Sequence, residues 1–317
     1  MSEQIYIGVD LGGTSIKTGL SDQEGQLLKV IETPTQTELG TDAVLNNIAA
    51  STQLIIEDSA YSWDQVAGIG AGIPGFMDFE EGFMHFSPNL PLTNVPIKRI
   101  LEEKLGKTVN INNDANVAAL GEAWSGAGKG VKILVCYTLG TGVGGGIVIH
   151  GNILQGSSGM GGELGHMAIV PDLEAIQCGC GQMGCLETVA SATGIIRMAN
   201  DAVERGDRTM LVDVLHITAK DVFDAAKAGD ETADRIVKRA AFYLGKSMAS
   251  ISVTINPNRF VIGGGVSNAG DIILKPVQEV FKKFAPLKAQ ENVDIVIAKL
   301  GNNAGVIGAA GLCLRQS

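Results

Sequence analysis

The stretch IGVDLGGTSIKTGL, residues 7–20, reads as an apolar strand, a tight glycine turn and a second strand. The same plan returns in VCYTLGTGVGGGIV, residues 135–148. Each has an apolar run, a Leu-Gly-Gly-Thr or Leu-Gly-Thr turn, and another apolar run. The surroundings repeat as well. After the first hairpin come a strand in QLLKVIETP, a helix over about 42–58, a buried strand in VAGIGAGIP, a helix in PIKRILEEKLG, a strand in TVNINND and a helix in ANVAALGEAW. Proline opens and glycine closes the second of these helices. After the second hairpin come a strand at GNILQG and helices at about 190–205, 218–227 and 231–252. Then follow a strand in NRFVIGGGV, a helix in GDIILKPVQEVFKKF, a strand in VDIVIAKLG and a closing helix in AGVIGAAGLCLR. This is an internal duplication of a strand-strand-strand-helix-strand-helix-strand-helix unit. It predicts an α/β protein of two lobes that form a cleft, each lobe offering a glycine turn to it. The expected domains are a small one, 1–116 plus 301–317, and a larger one, 117–300. A Rossmann domain is the alternative for a glycine-rich α/β chain. It needs Gly-x-Gly-x-x-Gly between a strand and a helix, and both turns here join strand to strand.

The 317 residues are 45% hydrophobic, enough for two cores, and carry a net charge of −10. That charge disfavours nucleic acid and anionic lipid as partners. No apolar run approaches the ~20 residues of a membrane helix. The start MSEQIYIGVD lacks a basic region and a cleavable apolar segment, so the expected location is cytoplasmic. Glycine, 42 residues, is well above the usual ~7%. It gathers at strand ends, which suggests a ligand cradle. Of five cysteines, Cys136 and Cys313 lie in apolar context and read as buried thiols.

A polyphosphate can be held by backbone N–H groups at a turn. DLGGTSIK supplies them at Gly12, Gly13 and Thr14, with a hydroxyl, and Asp10 ends the strand where a hydrated Mg²⁺ could be held. Thr141 and Gly142 offer the same from the second turn, and the glycines at 263–265 leave room for a base and ribose. Either turn alone could be an ordinary hairpin; their equivalent places in a duplication favour the phosphate reading.

NINNDANVAALGEAW places Asn113 and Asp114 where a strand passes into a helix. Asp114 could simply be an N-cap. The functional reading is a carboxylate that accepts a proton from a substrate hydroxyl, with Asn113 donating to a second one. Phosphoryl transfer asks little of its base beyond orientation, so an aspartate of ordinary pKa, ~3.9, would serve.

CGCGQMGC, residues 178–185, puts Cys178, Cys180 and Cys185 in one short glycine-rich loop, preceded by His166. One nitrogen and three sulfurs are a known set for closed structural zinc. A disulfide is the rival, but three cysteines cannot all pair internally. A metal would fix the direction of the second His166 nitrogen and hold the flanks carrying Glu163 and Glu187 together. Those carboxylates suit a polyol, whose hydroxyls can all donate; otherwise they are solvated surface charges. His85, His150 and His216 read as surface or turn residues.

DLGGTSIKTGL, NNDANVAALGEAWSGAG, LGTGVGGGIV, GGELGHM, CGCGQMGCLET and VASATGI together resemble the ROK family of bacterial sugar kinases and repressors. The resemblance covers essentially the whole chain. It implies a duplicated actin-like (ribonuclease H-like) ATPase fold, and LETVASATGI is most similar to the family's glucokinases. The implied reaction is ATP-dependent phosphorylation of glucose at the 6-hydroxyl, the first step of glycolysis. Related kinases acting on N-acetylmannosamine, N-acetylglucosamine or fructose are the alternative, and a non-catalytic sugar sensor a further one. By this resemblance Asp114 is the catalytic base. Gly72, Asn89, Asn113, Glu163, His166 and Glu187 bind the sugar, and the histidine and three cysteines hold zinc. Asp10, Gly12, Gly13, Thr14, Lys17, Thr141 and Gly142 serve the ATP phosphates and Mg²⁺, and Gly264 and Gly265 lie by the nucleotide. Many family glucokinases have an aromatic soon after the asparagine; this chain has NLPLTNVP. The resemblance further implies a homodimer. With the first strand expected to begin at Ile5, the helix-turn-helix of the family's repressors is not expected ahead of it.

Overall fold

The structure, a computed structural model, describes residues 4–315. It divides into two compact units, residues 1–131, 146–162 and 299–317, and residues 132–145 and 163–298.

In the first unit, β1 (Ile5–Leu11), β2 (Ser15–Ser21) and β3 (Leu27–Pro34) form an antiparallel meander. Helix α1 (Thr41–Glu57) leads into β4 (Val66–Gly72), which lies parallel to β1. A small sheet follows, β5 (Phe76–Asp78), β6 (Phe83–Phe86) and β7 (Thr93–Val95), which the sequence reading did not anticipate. Then come α2 (Ile97–Leu105), β8 (Val109–Asn112), parallel to β4, and α3 (Asp114–Trp124). The main sheet has the order β3-β2-β1-β4-β8. Ile5, Ile7, Val9, Leu11, Ile16 and Leu20 are buried in it and pack with Val44, Leu45, Ile48 and Ile55 of α1.

The second hairpin is β9 (Ile133–Leu139) and β10 (Val143–Ile149), followed by β11 (Asn152–Ile153). The β10–β11 turn centres on His150 and Gly151, both at positive φ (47° and 78°), the pairing a two-residue type I′ hairpin turn requires. Short α4 (Glu187–Ala190) and α5 (Ala192–Glu204) replace the single helix expected over 190–205. The break falls at Ser191, whose extended backbone and hydroxyl cap α5 by accepting from Gly194 N–H. Helices α6 (Ala219–Lys227) and α7 (Glu231–Thr254) start at side-chain caps from Thr218 and Asp230. Next are β12 (Arg259–Gly263), α8 (Asp271–Phe284), short α9 (Leu287–Gln290) and β13 (Asp294–Ile297). The order β11-β10-β9-β12-β13 matches the first sheet position for position, with β9, β12 and β13 parallel. The duplication read from the two hairpins is therefore present in the strand plan; β11, with two residues, is the stunted counterpart of eight-residue β3.

Helix α10 (Ala304–Gly311) returns to the first sheet and explains much of the glycine excess. A Cβ on Gly8 would stand 1.9 Å from the Val306 carbonyl oxygen, and one on Gly70 1.8 Å from that of Ala309. A Cβ on Gly308 would stand 1.6 Å from the Val117 carbonyl of α3. These glycines are packing surfaces for α10 against β1, β4 and α3, not parts of a ligand cradle. The same packing places α3 in the first unit, whereas the sequence reading drew its boundary at 116, inside this helix.

Glu122, on α3, is 1% exposed, and its hydrogen bonds among the described residues come from backbone N–H groups. Its carboxylate accepts from the backbone N–H groups of Ala127 (2.7 Å), Lys299 (3.0 and 3.1 Å) and Leu300 (2.8 Å). It thus ties the segment leaving α3 to the segment entering α10. Gly126 must be glycine here, since its Cβ would lie 2.2 Å from a Glu122 carboxylate oxygen. Cys136 is buried as expected; Cys313 is only half-buried, and burial raises its thiol pKa to about 12.

Candidate active site

In the first unit, β1 delivers Asp10 at the mouth of the glycine turn, and the β1–β2 register sets it opposite Lys17. Burial, then the Asp114 carboxylate, push the Asp10 pKa up to about 6, against the pull of Lys17. The Lys17 ammonium donates to the Asn302 carbonyl at 2.8 Å. Asp10 also explains Gly305, in the first turn of α10: a Cβ there would sit 2.3 Å from its Oδ2. The sequence reading gave Gly305 no role, because glycine in a closing helix carries no mark of what lies against it.

The turn corrects one detail. Gly12 N–H donates to Ser15 O at 2.9 Å, so it is used within the hairpin. Thr35 completes the brace, its hydroxyl donating to Gly12 O (2.7 Å) and its N–H to Thr14 O (3.0 Å). Gly13 and Thr14 are exposed beside it. A Cβ on Gly13 would be 3.7 Å from the Asn89 carbonyl oxygen, which brings the Asn89 segment up to this turn.

The helix start does not use Asp114 as its N-cap. The cap is Asn113: its side-chain oxygen accepts from Ala115 N–H (2.9 Å) and Asn116 N–H (3.4 Å). Asp114 is the first helical residue, so its carboxylate is not consumed as a cap. Burial raises its pKa, opposed by backbone N–H groups of Ala115 and Asp114 itself. The expectation of an ordinary aspartate is thereby corrected: desolvation outweighs the helix terminus. Asn112, 3% exposed, braces this corner by accepting from Asn113 N–H (2.9 Å) and Asn116 Nδ2 (3.1 Å). Gly72 at the end of β4 abuts α3, its would-be Cβ 2.4 Å from Val117 Cγ2 and 3.6 Å from Asp114 Cα. A side chain at 72 would displace the helix start that holds the carboxylate.

In the second unit, the turn at Gly140–Gly142 meets Glu187. Val143 N–H donates to Glu187 Oε2 at 3.2 Å, and a Cβ on Gly142 would be 2.5 Å from the same oxygen. Ala192 N–H donates to Gly140 O at 2.8 Å. Thr141 is exposed. Gly264, at φ 79°, lies under this turn, its would-be Cβ 2.5 Å from Leu139 O, while Gly265 has open space.

The cysteine loop is a knuckle with Gln177 bridged to Met183 and Cys178 N–H donating to Gln182 O at 2.8 Å. Gly181 and Gly184 sit at φ 90° and 75°, which L side chains rarely adopt. His166 Nδ1 lies 3.7 Å from Cys178 Sγ, and Cys180 Sγ 3.7 Å from Cys185 Sγ; the four ligand atoms all lie within 4.8 Å of one another. A tetrahedron with Zn–S bonds of about 2.3 Å has edges of about 3.8 Å. The donor set and its spacing therefore fit zinc, and no cysteine in the chain is in a disulfide. Because Nδ1 faces the cluster, the other His166 nitrogen, Nε2, is left on the Glu163 side, 4.0 Å from Glu163 Oε2. Cys178 Sγ donates to Glu187 Oε1 at 3.0 Å. Glu163, His166 and Glu187, expected to converge, thus all border the cluster. Gly165 makes this possible, since a Cβ there would lie 1.9 Å from Val143 O. The sequence reading missed it.

Residues 6–316 match the ROK family. The chain belongs to this family. It is 44% identical to the glucokinase of Halalkalibacterium halodurans across all of this chain and 97% of that protein. The crystal structure of the ROK hexokinase from Thermus thermophilus superposes with a TM-score of 0.85 at 35% identity, covering 98% of this chain and 97% of that one. The ROK family glucokinase from Streptomyces griseus, solved in complex with glucose and AMPPNP, does so with 0.79 at 33% identity, over 97% and 98%. The fold is accordingly the duplicated actin-like ATPase fold. Among the described residues no helix is long and apolar enough to cross a membrane.

Proposed function

We infer that this protein is a glucokinase that transfers the γ-phosphoryl group of ATP to the 6-hydroxyl of glucose. The observation that carries the reading is Asp114: a half-buried carboxylate at the first position of α3, released from capping by Asn113, in a chain that matches glucokinases over its full length. In this reading the Asp114 carboxylate accepts the proton of the 6-hydroxyl as the oxygen attacks phosphorus. Its raised pKa favours that transfer, because a more basic carboxylate takes the proton more readily. Asn113, Gly72 and Asn89 position the sugar from the first unit; Glu163, His166 and Glu187 accept from or donate to its other hydroxyls. Gly13, Thr14, Thr141 and Gly142 receive the phosphates, with Gly264 and Gly265 beside the nucleotide.

Asp10, with Lys17 across the hairpin, is the residue that would hold Mg²⁺, which when bound would neutralise charge on the phosphates. His166, Cys178, Cys180 and Cys185 would hold zinc, which would fix the loop that carries Glu163 and Glu187 to the sugar. We place the protein in the cytoplasm and read it as a homodimer; light scattering on the purified protein checks the dimer. The activity is tested by coupled ADP release on a panel of glucose, fructose, N-acetylglucosamine and N-acetylmannosamine. The expected result is a kcat/KM for glucose at least tenfold above each rival. A higher value for an N-acetylated sugar or fructose reassigns the substrate, and no turnover with any of them overturns the kinase reading.

A further inference from the structure

Five of the chain's eight arginines fall between positions 197 and 239. Four of them, Arg197, Arg205, Arg235 and Arg239, line one cavity of about 320 Å³ in the second unit. Its walls are α5, α7 and the segment that carries Glu174 and Ile176 into the cysteine knuckle, and Met198, Ala202 and Ile236 give it an apolar floor. Three carboxylates also line it, Glu174, Asp201 and Asp207. The lining therefore sums to 4 − 3 = +1 in a protein of net charge −10.

The carboxylates do not satisfy the guanidiniums. Asp207 alone serves two, Arg205 at 3.2 Å and Arg235 at 3.4 Å. Arg197 reaches Asp201 at 2.8 Å, but its Nε is buried without a hydrogen-bond partner among the described residues. A buried guanidinium N–H without an acceptor is costly, and the fork of Arg matches oxyanions two bonds at a time. Arg239 is held in place by Glu174 at 2.7 Å and by the Tyr243 ring, 5.4 Å from its guanidinium carbon.

We propose that this arginine-lined cavity binds a phosphate dianion, either free orthophosphate or the phosphoryl group of a sugar phosphate. The occupied site is coupled to the sugar-binding residues through Arg197, and this coupling rests on the kinase reading above. Arg197 donates to the Thr188 carbonyl at 3.3 Å, and Thr188 follows Glu187 on α4. On the opposite wall, Glu174 accepts from both Arg239 and the Tyr243 hydroxyl (2.9 Å). An anion that competes with Asp201 and Glu174 for these arginines draws on both α4 and the cysteine loop.

The test uses the full-length, zinc-supplemented protein without ATP or sugar, titrated calorimetrically with inorganic phosphate at constant ionic strength. The wild type is compared with the Arg205→Gln, Arg235→Gln double variant, whose side chains are 62% and 65% exposed and can change without disturbing the core. The expected result is saturable binding at millimolar phosphate that weakens at least tenfold in the variant. No binding up to 20 mM (about twice the highest concentration such a site would need to be useful), or equal affinity in both proteins, overturns the site. A parallel titration with glucose 6-phosphate, counted only as the binding that the Arg205→Gln, Arg235→Gln variant loses so that product binding at the sugar site cancels, distinguishes the sources: at least tenfold tighter binding than orthophosphate assigns the sugar ester, and equal or weaker binding assigns the free ion. Because both arms are read as the difference between the wild type and a variant altered only in the cavity, their outcome is independent of the sugar-panel assay. The coupling is read separately, as a change of at least twofold in the glucose KM at saturating phosphate in the wild type alone; an unchanged KM overturns it.

Discussion

Replacing Glu122 with alanine tests whether a buried carboxylate held by backbone N–H groups is a structural clasp. Three backbone N–H donors, on Ala127, Lys299 and Leu300, lose their acceptor, and four hydrogen bonds of 2.7–3.1 Å disappear with it. Each orphaned donor costs about 1–3 kcal/mol, more toward the upper end when its acceptor was charged. Water that enters beside exposed Lys299 recovers part of this. The net loss is then about 3–5 kcal/mol, a large share of the 5–15 kcal/mol typical of a folded protein. At about 2 °C per kcal/mol for a chain of this size, the melting temperature falls by roughly 6–10 °C. Glu122→Gln keeps one acceptor but turns an amide NH2 toward a backbone N–H, and should fall between the wild type and alanine. Differential scanning calorimetry gives the stability, and hydrogen exchange over residues 126–131 and 299–301 locates it. A melting temperature within 1 °C of wild type, with unchanged protection in both segments, would refute the clasp.

Asp10 sets a pH dependence: its folded pKa, raised to about 6, lies above the unfolded value of 3.8, so the folded state binds the extra proton. Without divalent metal, its contribution to stability is therefore greatest below about pH 3.8 and is lost as pH rises through about 6. Asp10→Asn should flatten that fall in melting temperature, and an unchanged profile contradicts the assignment. Gly305→Ala puts a methyl 2.3 Å from Asp10 Oδ2 and should raise the Mg²⁺ requirement of turnover at least tenfold while glucose KM moves less than threefold, by initial-rate kinetics. Cys180→Ser should lower zinc content, by elemental analysis, and weaken glucose binding together; normal glucose affinity in zinc-free protein would separate the metal from the pocket.

The two hairpins at 7–20 and 135–148 were legible because a duplicated strand-turn-strand pattern leaves the same apolar and glycine signature twice. The knuckle was legible because metal ligands need particular side chains at short spacing. What stayed hidden depends on contacts distant in sequence. Gly8, Gly70 and Gly308 are glycine because α10 lies against β1, β4 and α3, and nothing local distinguishes them from ligand-turn glycines. Glu122 has no local mark of its role, because the segment at 299–300 that donates to it lies far along the chain. The environment of Asp114 differs from the ordinary one its sequence context suggests. The cap is made by the residue before it, and burial raises its pKa against the pull of the backbone N–H groups at the helix start.

The most direct measurement of the central claim is the steady-state kinetics of Asp114→Asn with glucose and ATP. The substitution keeps size and removes the basic oxygen, so kcat should fall by about 10²–10⁴ while the glucose Kd, measured calorimetrically, stays within about tenfold. The acid limb of the wild-type kcat/KM profile should lie above the usual carboxylate range, since burial raises this group, and should vanish in the variant. A variant that retains near wild-type turnover, or one whose rate loss is matched by an equal loss of glucose affinity, would contradict the assignment of Asp114 as the base.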